Sequence, residues 1–80
     1  MDKDIIGLDS LDIGEKCRVV SLCSKGELRR RLRDMGIIEG TGIECCLVSA
    51  FSDPKAYKLR GTVIALRNCD AADIKGVRIK

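Results

Sequence analysis

The stretch Gly26-Glu-Leu-Arg-Arg-Arg-Leu-Arg-Asp-Met-Gly36 constrains this chain more than any other part of it. It is the one segment with a clear helical period: Leu28, Leu32 and Met35 recur at i, i+4 and i+7 and share one face. Arg30, Arg33 and Asp34 project from the opposite side, and Arg29 lies on the flank. Arg31 falls at the edge of the apolar face, where its aliphatic stem packs and its guanidinium reaches out. That edge position suits a bracing role, with the guanidinium partly buried and bonded to loop carbonyls or a carboxylate; the other reading is a direct partner contact. Arg67 is expected to share the bracing role. Gly36 supplies the stop, because glycine takes the left-handed C′ conformation without a Cβ penalty. Short β-type runs lie on either side, so the helix is expected to cap or plug a small β structure.

The runs in order support that picture. Residues 1–10 read as a lead-in without a clean period. Lys16 to Cys23 alternates, with Cys17, Val19, Ser21 and Cys23 on one face and Arg18, Val20 and Leu22 on the other. Ser24 or Gly26 is the expected helix N-cap, with Glu27 facing the positive helix end. Gly42 to Ser49 is a second strand, with Ile43, Cys45 and Leu47 on one face. Asp53-Pro54 marks a turn in the loop 50–55. Ala56 to Arg60 and Thr62 to Arg67 read as a hairpin about Gly61, with Ile64 and Leu66 facing one way and Val63 and Ala65 the other. Asn68 to Lys75 carries one helical turn, with Asp70 as cap and Gly76 as exit. Val77 to Lys80 closes the chain as an edge strand. The expected fold is therefore mainly β with one or two short helices: a small SH3-like, partly open barrel with antiparallel pairing.

Eighty residues make a single domain, spanning 1–80. A chain of this size buries only about 60% of its unfolded surface, so a deep catalytic pocket is hard to enclose. Histidine is absent, which excludes Cys-His and Ser-His-Asp nucleophilic chemistry. No phosphate-cradling Gly-x-x-x-x-Gly-Lys-Ser/Thr loop occurs. No catalytic residue is assigned, and GTP hydrolysis by the chain itself is not expected. Phe51 and Tyr57 are the only aromatics, which counts against a base-stacking nucleic-acid platform. There is no secretory signal and no apolar run near about 18 residues, so a cytoplasmic protein that does not span a membrane is expected.

The net charge of +3 is localised. Lys25, Arg29, Arg30, Arg31 and Arg33 against Glu27 and Asp34 give a local +3, so the rest of the chain sums to zero. The bland reading is a solvated helix face; the functional reading is a docking patch for an acidic surface or for phosphates. Lys25, Arg29, Arg30 and Arg33 are the candidate partner-binding residues. Five cysteines, an odd number, argue against an extracellular disulfide framework. Cys17 and Cys23 are about 20 Å apart along an extended strand at ~3.3 Å per residue, Cys45 and Cys46 point to opposite faces, and Cys69 stands alone. No Cys-x-x-Cys spacing exists, so no metal ligand set is assigned. A transition metal ion is conceivable only through a cross-strand set such as Cys17 with Cys45, and the thiols read as small buried hydrophobes.

At this point the residues resemble a known family. Gly14-Glu15 leads a Val-Val strand. Gly26-Glu-Leu-Arg-Arg-Arg-Leu-x-x-Met-Gly36, Ile37-Ile-x-Gly-Thr41 and a strand with Glu44 come next. Leu59-Arg-Gly-Thr-x-Ile-Ala-Leu-Arg67 and a Val-Arg-Ile terminus complete the pattern. From roughly residue 8 onward this is similar to the ferrous iron transport protein A (FeoA) family. The resemblance implies an SH3-like barrel acting as a small cytoplasmic accessory of a membrane ferrous iron transporter with a cytoplasmic GTP-binding domain. It places Arg31, Leu32, Met35, Gly36, Gly40, Gly61, Ala65, Leu66 and Arg67 at motif positions, and the five cysteines lie outside it. The leading expectation is thus a non-enzymatic module that docks Arg29, Arg30 and Arg33, together with loop 50–56, on that transporter's cytoplasmic region, with no nucleic acid involved. The alternatives are a regulatory or nucleic-acid-binding small barrel and a cysteine-based transition metal ion-binding protein.

Overall fold

Along the chain run β1 (Ile5–Gly7), a 3-10 turn (Leu8–Ser10), β2 (Lys16–Leu22), α1 (Gly26–Asp34), β3 (Gly42–Val48), β4 (Lys55–Leu59), β5 (Thr62–Leu66), α2 (Asn68–Ala71) and β6 (Ile74–Ile79). The computed structural model describes residues 4–79; Met1, Asp2 and Lys3 of the lead-in, and Lys80, lie outside the described residues. The strands form one antiparallel sheet in the order β1-β6-β2-β3-β4-β5. β1 and β5 end the sheet and are not paired with one another, so the barrel stays partly open, as the sequence predicts.

The core lies on the concave side of this sheet. Leu8, Leu11, Ile37, Ile43, Tyr57 and Ile74 are among its fully buried side chains, and Leu32 of α1 plugs into it. Burying a leucine of this kind contributes roughly 2 kcal/mol. The strands form where the sequence places β-branched and alternating residues. The hairpin β4–β5 turns on Arg60 and Gly61, with φ of 51° and 78°. Two central residues at positive φ are what a two-residue turn between twisted strands requires.

Three expectations are corrected by the structure and one is extended. The lead-in, whose Ile5, Ile6 and Leu8 are expected to tuck against the body, forms a strand: Ile5–Gly7 pairs with Val77–Lys75, and Leu8 is fully buried. Consequently β6 is not an edge strand but lies between β1 and β2. Gly76 is no helix exit; it sits inside β6 opposite Val19. Strict alternation also fails twice, because the register shifts between Val19 and Ser21 in β2 and between Cys45 and Leu47 in β3. A bulge of this kind inverts the inward-outward parity of the residues beyond it. Cys17 and Val19 face the core while Ser21 and Cys23 are exposed, and Leu47 is 61% exposed where alternation would bury it.

Candidate interaction surface

The helix α1 starts without the predicted side-chain cap. Lys25, extended at φ −129° and ψ 163°, is the N-cap residue and makes no capping bond. Ser24 is buried and its Oγ has no partner among the described residues. The stop is as predicted. Ile37 N–H donates to the Leu32 carbonyl (3.0 Å) and Gly36 N–H to the Arg33 carbonyl (2.9 Å), with Gly36 at φ 97°. This pair of hydrogen bonds is a Schellman motif, and the burial of both Leu32 and Ile37 supplies its hydrophobic contact. Buried Thr41 then locks the next turn: its Oγ1 donates to the Gly36 carbonyl (2.9 Å) and accepts from Ile38 N–H (3.2 Å). Gly40, at φ 89°, lets the chain enter that turn.

The result is a groove beside the helix. Gly26, Arg29, Arg30, Arg33, Asp34 and Ile38 line a surface hollow of about 560 Å³. A second hollow of about 300 Å³ adjoins it, sharing Arg29, Arg33 and Ile38 and adding Leu22 and Glu39. Arg29, Arg30 and Arg33 are all exposed, as the helical period predicts. Among the described residues the one ion pair is Arg78 Nε with Glu15 Oε2 at 3.3 Å, and none of these three guanidinium groups has a carboxylate partner there. Three cations around the exposed Ile38 suit an acidic protein surface with an apolar anchor.

Not every candidate joins this groove. Lys25 is exposed but does not line it. Arg31 and Arg67 differ from expectation: both are exposed, and neither side chain makes a hydrogen bond or ion pair among the described residues. Met35, at the helix C-cap, is 39% exposed rather than sealed in the apolar face. Loop 50–56 is held to α2 instead, where Asn68 N–H donates to Asp53 Oδ1 (2.9 Å) and Asn68 Nδ2 to the Ser52 carbonyl (2.7 Å). Ile38 is the groove residue that helical and strand periodicity do not single out. The Ile37-Ile38 pair announces an apolar turn but not which of the two faces outward; Ile37 is buried and Ile38 is 40% exposed.

The thiols are dispersed. Cys17 and Cys45 are buried, Cys46 is half-buried with its Sγ 3.5 Å from the Ala56 carbonyl, and Cys23 and Cys69 are exposed. Burial pushes the Cys17 and Cys45 thiols up, away from the nucleophilic thiolate. Among the described residues no group of three or more His, Cys, Asp or Glu side chains is gathered closely enough to hold a metal ion.

A small antiparallel SH3-like module with a cationic helix groove is the class of protein that this fold and surface define. The chain belongs to the FeoA domain family, whose model matches residues 6–78. It is 29% identical over 68 residues to a Porphyromonas gingivalis protein described as a fusion of Fe(2+) transport protein A with the Fe(2+) transporter FeoB. That match takes in 85% of this chain and 8% of the fusion protein's length. Among solved structures it matches a FeoA-like protein from Clostridium acetobutylicum at 35% identity and TM-score 0.87, covering 100% of this chain and 92% of that one. A FeoA from Stenotrophomonas maltophilia, described as an SH3 domain protein, shares the fold at TM-score 0.82 and 20% identity, covering 94% of this chain and 96% of that one. No helix is long and apolar enough to cross a membrane among the described residues.

Proposed function

We propose that this chain is a non-enzymatic accessory module of ferrous iron uptake that works on the cytoplasmic side. Its α1 groove docks on an acidic surface of a membrane ferrous iron transporter, of the kind that carries a GTP-binding domain, and tunes that transporter's assembly or nucleotide cycle. The observation that carries this reading is the relative in which a transport protein A is fused to the transporter itself. Fusion raises the effective concentration of one partner near the other, which is useful only when the two act together. Arg29, Arg30 and Arg33 around Ile38 supply the means: charge for steering and one exposed apolar side chain for residence. The protonated state of Cys17 and Cys45 favours a packing role for these thiols over a chemical one.

Binding of the purified chain to the full transporter, followed by interferometry at low and physiological salt, tests the proposal. Reversing Arg29, Arg30 and Arg33 to Glu slows association about tenfold or more at low salt, and circular dichroism stays unchanged. Unaltered association by a folded triple variant would remove the groove from the interface. GTP turnover by the isolated chain above buffer would end the non-enzymatic reading.

A further inference from the structure

The strand β5 pairs only with β4. Its register joins Leu59 with Thr62, Tyr57 with Ile64 and Lys55 with Leu66 across the Arg60-Gly61 turn. In a two-residue hairpin the pair flanking the turn is hydrogen-bonded, and bonded pairs alternate from there. Thr62, Ile64 and Leu66 therefore bond to β4, and the N–H and C=O groups of Val63 and Ala65 point off the sheet. Among the described residues nothing bonds to those groups.

Edges of this kind are normally blunted by lysine, proline, bulges or brevity. β1, the opposite edge, is blunted by its three-residue length. β5 has none of these devices: Thr62-Val-Ile-Ala-Leu66 is uncharged, β-branched and regular in register. Val63 is 58% exposed and Ala65 is exposed beside it. Charge lies at the two ends, on exposed Arg60 and Arg67, which have no ion pair among the described residues, with exposed Lys58 opposite Val63. Asp53, the carboxylate at the Arg67 end, is occupied by the Asn68 amide at 2.9 Å.

These charges select the occupant. A second copy pairing antiparallel about Ile64 would bring Arg60 within one register position of Arg67 of the other copy, at both ends, so that like charges gather there. We propose that the free edge of β5 is a strand-addition site for an extended, apolar segment of another protein that carries acidic residues at both ends. The distance from Arg60 to Arg67 along the strand, roughly 23 Å at ~3.3 Å per residue, calls for acidic residues about six to eight positions apart. This surface is separate from the α1 groove, so either can fail without the other.

The probe is a fluorescently tagged synthetic peptide, Asp-Glu-Val-Thr-Val-Thr-Val-Glu-Asp, added to the full chain and followed by anisotropy and amide NMR. Saturable binding is expected, with the Val63 and Ala65 amides shifted and slowed in hydrogen exchange. Val63→Pro removes one edge donor while sparing every bond to β4, and weakens binding about tenfold. The same peptide N-methylated at alternate residues loses as much against the unaltered protein, so the test does not depend on the variant's fold. Replacing the peptide's acidic residues by Lys weakens it by at least about tenfold. Absence of saturable binding, equal binding of the N-methylated peptide, or shifts confined to other amides would overturn the proposal. So would sedimentation revealing a dimer that Val63→Pro dissolves, since the second copy would then be the occupant.

Discussion

At Gly76 a single missing side chain lets two strands meet. A Cβ there would lie 2.2 Å from Cys17 Sγ and 2.5 Å from the Arg18 carbonyl oxygen. The sulfur can move; the backbone oxygen of a central ladder cannot. Gly76→Ala is therefore expected to destabilise the protein by about 2–3 kcal/mol, read as a shift in urea midpoint. Adding Cys17→Ala restores little of this, because the Arg18 carbonyl still blocks the methyl group. Gly42→Ala, with nothing within 4 Å of its Cβ, serves as the control and stays near neutral. The contrast marks what residues reveal of themselves. Gly36 is legible as a helix stop because its reason is local, a positive φ at C′. Gly76 is not, because its reason is β2, more than fifty residues upstream. The arginines divide the same way: helical spacing places Arg29, Arg30 and Arg33 outside, but whether a loop waits beside Arg31 is not written in the helix.

At the scale of elements, the N-terminal segment depends on two side chains of β4. The buried amine of Lys55 donates to the carbonyls of Asp9 and Leu11, the latter at 3.1 Å, and Tyr57 Oη donates to the Leu8 carbonyl at 3.3 Å. Both reach across the open mouth of the sheet and hold the 3-10 turn over the core. Lys55→Met keeps the aliphatic stem but leaves the Leu11 carbonyl unpaired in a buried place, at a cost of about 1–3 kcal/mol. Hydrogen exchange should then speed up at Leu8 to Leu11 and in β1 more than in the β4–β5 hairpin; a uniform change would contradict the anchoring role. These contacts explain why the lead-in reads as loose from sequence. Ile5, Ile6 and Leu8 have no period of their own, and they are ordered by β6 and by a lysine that the sequence places in a loop. The strands from Lys16 to Leu66 are legible through alternation and turn residues. Their inward faces are legible only as far as the bulges at Val19/Ser21 and Cys45/Leu47, since a bulge is set by how two strands fit and not by either alone.

Over the whole molecule, the buried acids give stability a direction with pH. Cys17, Cys45 and Tyr57 are fully buried, and Cys45 lies opposite Tyr57 in the β3–β4 register. Desolvation is the main cause that pushes all three groups up, and for Tyr57 the nearby Cys45 adds to it. Each group is neutral when protonated. Below the unfolded thiol value of about 8.5, both states keep their protons and stability does not depend on these groups. Above it the unfolded chain releases thiol protons that the folded chain retains, so stability falls as pH rises, by up to about 1.4 kcal/mol per pH unit for each group. Tyr57 joins in the same sense above about pH 10. Glu15 acts at the other end. The Asp12 N–H and then Arg78 hold its carboxyl below the usual range, so its contribution is present above about pH 4.3 and lost as pH falls through the folded value. Urea midpoints measured from about pH 7 to 10 should therefore decline from pH 8.5 upward. A Cys17→Ala, Cys45→Ala double variant starts less stable but flattens that decline up to the onset of tyrosine ionisation. A slope unchanged in the double variant would refute the assignment to the core.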